Sequence, residues 1–158
     1  MRFQDFICET TQASADAAFK AAKAVPTDKL SWKPLDEGRS VLDQAQEMAQ
    51  CPVWAHTLVA DQPMPEMGPD AQVKMKAERE SWTTIDACQA ECNARLAKLF
   101  ELYRGVKDEQ LEKTKWLPFD GGRDFTWKEM MDYPNWNFIY HQGQINYVQT
   151  LYGDKDMH

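Results

Sequence analysis

Hydrophobic residues recur three and four positions apart along most of this chain, the spacing that gathers them on one face of an α-helix. Phe3, Phe6, Ile7, Ala17, Ala21 and Ala24 form one such stripe ahead of Pro26, which predicts a first helix from Phe3 to Ala24. Ser40 followed by Asp43 resembles a capping box with the shorter acid, and a second helix is expected from Ser40 to Ala60, bent at Pro52. Trp82, Ile85, Cys88, Cys92, Leu96, Leu99 and Tyr103 mark the buried side of a third and longest helix, from Asp70 to Tyr103. Its early part, QVKMKAERE, is polar enough to project into solvent or against a partner. Thr126 with Glu129 is a full capping box, so a fourth helix should open at Trp127, kink or break near Pro134, and close at Gly153.

Breaks separate these stripes. VPTDKLSWKPLDEGR and DQPMPEMGP are rich in proline and glycine, and residues 106–125 are the least helical, with WLPFDGGRDF reading as a turn or short hairpin. The pattern predicts an all-α fold: one domain over residues 1–158, a four-helix bundle with a long irregular connector before the last helix. At 158 residues the chain can bury a core of its own without disulfides or a structural metal.

Charge and cysteine usage narrow the partners. A formal net charge of −7 with no basic run argues against nucleic acid. No apolar run approaches the ~18 to 20 residues that cross a bilayer, and MRFQDFICETTQ lacks the layout of a signal peptide, so neither membrane nor export is expected and the chain reads as cytoplasmic. Cys8, Cys51, Cys88 and Cys92 sit within apolar helical patterns and read as reduced core residues, without the second pair a zinc knuckle needs.

The chemistry lies where polar residues interrupt the apolar stripes. On the fourth helix Asn137, His141, Ile145, Val148 and Tyr152 fall on one line, with Gln144 beside them. On the second, Ser40, Gln44, Glu47, Cys51, Trp54 and Leu58 do the same, and a carboxylate in that position needs a partner. If the two helices face each other, Glu47, Asn137 and His141 could hold a divalent ion such as zinc, nickel, manganese or iron; Glu47 and His141 could equally be a buried ion pair. His56 lies nine residues past Glu47, about 180° around the helix, and is expected at a surface or helix interface. His158, at the chain end, is expected to be solvated. Trp32, Trp54, Trp116, Trp127 and Trp136 could line a pocket mouth, although packing is the commoner role of such residues.

The order of these patterns resembles the DinB/YfiT-like family of metalloenzymes. The resemblance is carried by VPTDKLSWKPLDEGRSV before the second helix, an inward polar residue seven after Ser40, and YHQGQINYVQTLYGD near the end. The family places a histidine ligand on helix two and a His-x-x-x-His motif on the last helix. Carried over by position, these fall on Glu47, Asn137 and His141, with Gln144 supporting them, so two of three ligand positions have changed type. The resemblance implies a metal-dependent transferase or hydrolase acting on a small molecule or low-molecular-weight thiol, and a homodimer; it assigns no catalytic residue. The altered set leaves two readings: a site retuned to a harder metal, or a dimeric binding protein that kept the pocket and lost the ion.

Overall fold

The computed structural model describes residues 1–63, 68–156 and 158. Five helices occur among them: α1 (Phe3–Lys23), α2 (Val41–Val59), α3 (Pro69–Glu80), α4 (Ile85–Gly105) and α5 (Trp127–Leu151). A two-stranded antiparallel sheet, β1 (Thr114–Leu117) and β2 (Arg123–Thr126), fills the connector before α5. Thr114 pairs with Thr126 and Leu117 with Arg123, and Asp120, Gly121 and Gly122 turn the hairpin with positive φ. No described helix is long and apolar enough to cross a membrane.

The expected caps hold the helix starts. Ser40 Oγ accepts from the Asp43 N–H at 3.1 Å, and Thr126 and Glu129 bond reciprocally as a complete capping box. Gly153, at φ 95°, follows the end of α5.

The third predicted helix is in fact two. The stripe from Asp70 to Tyr103 is interrupted at residues 81–84, where Ser81 Oγ turns back to the Glu78 carbonyl at 2.6 Å and Thr84 caps α4 by accepting from Ala87 N–H at 3.1 Å. Hydroxyl side chains compete with the helical ladder for these backbone groups, and the Ser-Trp-Thr-Thr run lets them win. The freed Trp82 carbonyl then accepts Gln46 Nε2 from α2 at 2.9 Å.

A proline inside a helix leaves the carbonyl four residues earlier without its usual partner, and in α2 the bundle supplies one. In α2 the missing N–H of Pro52 frees the Met48 carbonyl, which accepts the buried Cys92 thiol at 3.5 Å. In α5, which continues through Pro134 as one helix, Tyr103 Oη donates to the Met131 carbonyl at 2.9 Å in the turn the proline weakens. The four cysteines are free and buried.

Contacts along the helices define their directions. Ser14 meets Asn135 and Gln149 Nε2 meets the Ala21 carbonyl, so α1 and α5 run side by side in one direction. Gln46 to Trp82 and Cys92 to Met48 make α2 and α4 parallel to each other, while Trp127 Nε1 to the Val59 carbonyl and His141 to Gln44 set α2 against α5. The core between them is built from Phe19, Met48, Leu96, Leu99, Tyr103, Met131, Phe138 and Ile145, all buried. Helix α3 contributes no buried residue and lies outside α2, tied by Gln50 Nε2 to the Met75 carbonyl and Glu78.

Candidate functional site

Because α2 and α5 run antiparallel, the first half of α2 faces the middle of α5, and the two polar interruptions coincide. His141, completely buried, contacts Glu47 Oε1 through Nε2 and Gln44 Oε1 through Nδ1, each at 3.2 Å. The backbone thus brings together Glu47 and His141 as their spacing implied.

The second carboxylate oxygen is also taken. Arg39, just before the α2 cap, bonds Asp43 Oδ2 through Nε at 2.6 Å and pairs with Glu47 Oε2 through Nη1. Arg79, near the end of α3, places Nη1 3.9 Å from the same oxygen. The hydrogen bond from His141 holds the Glu47 carboxyl down at about 2, overcoming the opposing effect of burial, and the charge of Arg39 adds to it. An ionised Glu47 only accepts, so His141 Nε2 donates in that contact, while Nδ1 faces the side-chain amide of Gln44.

Asn137 occupies the predicted face one turn before His141 and is buried, but its Oδ1 has no hydrogen-bond partner, nor has Gln144 Oε1. Neither bonds Glu47 or His141 in the described structure. A divalent ion would need lone pairs from Glu47 and His141 directed at one point. Here His141 Nε2 and Glu47 Oε1 stand 3.2 Å apart, and Arg39 and Arg79 lie against the other oxygen of Glu47. Among the described residues no group of three or more His, Cys, Asp and Glu side chains is arranged to hold a metal.

Above Arg79 a cleft of about 320 Å³ opens, lined by Lys33, Asp43, Gln46, Lys76, Arg79 and Glu80. The tryptophans do not gather at it. Trp127 is buried at the far end against Val59, Trp116 is exposed on β1, and Trp32 packs edge-on against Tyr152. Trp54 is half-buried on α2, and Trp136 stacks on Tyr140, whose ring meets His141 edge-on. His56 is half-buried, and His158, expected to be solvated, is half-buried with Nε2 3.0 Å from Asp154 Oδ2.

Sequence reasoning did not find Arg39 and Arg79. Arg39 carried a usable signal, its four-residue spacing to Asp43. Arg79 carried none, because its direction depends on the break between α3 and α4.

No family model matches the chain, and no curated protein is similar to it in sequence. Solved structures are similar in fold. YfiT from Bacillus subtilis, described as a probable metal-dependent hydrolase with an unusual four-helix bundle topology, superposes with a TM-score of 0.76 at 13% identity, over 95% of this chain and 87% of its own. The fold is the DinB/YfiT-like bundle. A mycothiol-dependent maleylpyruvate isomerase shares this bundle with a TM-score of 0.68 at 13% identity, over 92% of this chain but only 63% of its own. The colibactin self-resistance protein ClbS, solved with double-stranded DNA, matches with a TM-score of 0.66 at 12% identity, over 93% and 95% of the two chains. The DinB-like frame therefore accompanies more than one kind of partner, and this chain's own side chains must specify its role.

Proposed function

We propose that this chain is a DinB-like small-molecule-binding protein in which Arg39 and Arg79 supply the positive charge at the interior site in place of a divalent metal, with His141 hydrogen-bonded to Glu47. The observation that carries this reading is that both oxygens of Glu47 are already engaged by protein groups, one by the Arg39 guanidinium and the other by His141. His141 is buried with both ring nitrogens committed, which suits a rigid pocket wall better than proton transfer to a substrate. The isomerase and hydrolase descriptions of the structural neighbours support a small-molecule partner, and the net charge of −7 supports one other than nucleic acid. Four buried free cysteines fit a reducing, cytoplasmic setting.

A second reading draws on the orphaned Asn137 Oδ1. If Arg39 swings away, Glu47, Asn137 and His141 would hold zinc, nickel, manganese or iron, with Gln144 beside them, in a metal-dependent thiol transferase or hydrolase. Metal analysis of tag-free protein distinguishes the two. We expect metal far below one ion per chain, even after incubation with zinc, nickel and manganese. Near-stoichiometric metal, lost in both Glu47→Gln and His141→Ala, overturns the first reading.

The homodimer belongs to the same proposal. Residues 133–153 contain no Asp, Glu, Lys or Arg, in a chain that is 27% charged, and α5 exposes Trp136, Ile139, Tyr140, Tyr147 and Leu151. An uncharged apolar face lets two copies of a −7 chain meet without repulsion.

A further inference from the structure

Arg79 is largely enclosed, with its side chain 27% exposed, yet its guanidinium makes no hydrogen bond among the described residues. Its contact with Glu47 Oε2, at 3.9 Å, is too long to be one, and both oxygens of that carboxylate are already engaged by closer partners. None of its guanidinium nitrogens is a buried atom without a partner, so its N–H donors face the cleft and are free for a ligand.

The cleft beside Arg79 has the same bias. Lys33 has no ion-pair or hydrogen-bond partner among the described residues, and Lys76 stands 3.7 Å from Glu80 in an exposed pair of the kind that contributes little. Of the two carboxylates on the wall, Asp43 is committed to Arg39 at 2.6 Å. Three cations with donors to spare thus surround a space of about 320 Å³, enough for a molecule of modest size and too small for a polymer.

We propose that this cleft binds a small organic acid, with Arg79 forking its carboxylate and Lys33 and Lys76 flanking it. A planar guanidinium matches a carboxylate through two parallel N–H···O bonds, whereas the lysines act as point charges that can serve a second acidic group. The ligand would lie against the outer side of the Glu47, Arg39 and His141 cluster, which fixes Arg79 in place. This deepens the preceding proposal and rests on its view that protein cations set the charge here.

The test is calorimetric titration of the tag-free full chain with succinate at constant ionic strength, beside inorganic phosphate and neutral succinamide. Succinate should bind saturably and succinamide should not. Arg79→Gln should weaken succinate about ten-fold or more, and a Lys33→Gln, Lys76→Gln double variant several-fold, with the helical circular dichroism of both variants retained. Absence of saturable succinate binding, or binding indifferent to both variants, overturns the proposal. Phosphate bound as tightly as succinate, and weakened as much by Arg79→Gln, overturns the carboxylate assignment. Metal content measured on the same samples keeps the two readings apart: one ion per chain with Arg79-dependent succinate binding sinks the metal-free reading alone, and metal-free protein that ignores succinate sinks this one alone.

Discussion

Replacing Glu47 by Gln keeps the shape of the side chain and removes its charge, which isolates the electrostatic part of the site. The carboxyl sits at about 2 against an ordinary 4.5, a difference that corresponds to about 3 kcal/mol of stability at neutral pH. The side chain is 31% exposed, and solvent screening lowers this to about 2 kcal/mol. For a chain of this length the melting temperature should then fall by about 4 to 8 °C. The sign of the pH dependence follows from the depressed value: the contribution is complete above 4.5, where the unfolded carboxyl is ionised, and is lost as pH falls toward 2. Urea unfolding followed by circular dichroism at pH 7 and at pH 3 should show the gap between wild type and Glu47→Gln shrinking by about half or more. A gap that is absent at pH 7, or that stays constant down to pH 3, refutes the account of Glu47 as an ionised group clamped by His141 and Arg39.

His141→Ala removes the hydrogen-bond partner of Glu47 and of Gln44 and opens a hole in a buried position; it should cost about 2 to 3 kcal/mol in urea unfolding, and an unchanged midpoint would place His141 outside the core. Tyr140→Glu or Trp136→Glu puts a charge on the exposed face of α5, and light scattering should report a monomer where the wild type is a dimer; a monomeric wild type ends the dimer proposal. Chelator treatment of the wild type should leave its melting temperature unchanged, since Glu47 is neutralised by protein groups, whereas a marked drop would point to the metal-holding alternative.

Much of the bundle was legible along the chain because helices advertise themselves locally. The Ser40 and Thr126 caps and Gly153 each rest on groups within a few residues of one another, and the structure places them where the spacing implied. The break at residues 81–84 escaped notice because an apolar stripe cannot show whether the backbone between its members remains helical; Thr84 as a cap was the available signal. Part of the predicted connector over residues 61–69 lies outside the described residues. In the site, Glu47 and His141 were readable as polar residues on apolar faces, since each on its own helix demanded a partner.

Sequence by itself determined that the chain forms capped amphipathic helices, that two of them carry polar groups inward, and that Glu47 could not be left alone. Only the tertiary structure decided what neutralises it. Arg39 reaches Glu47 from the connector and Arg79 from α3, a helix whose placement against α2 depends on Gln50 of α2 meeting Met75 and Glu78. Local spacing sets which side of a helix a group occupies, but an ion pair across elements depends on distances that exist only after the helices have packed.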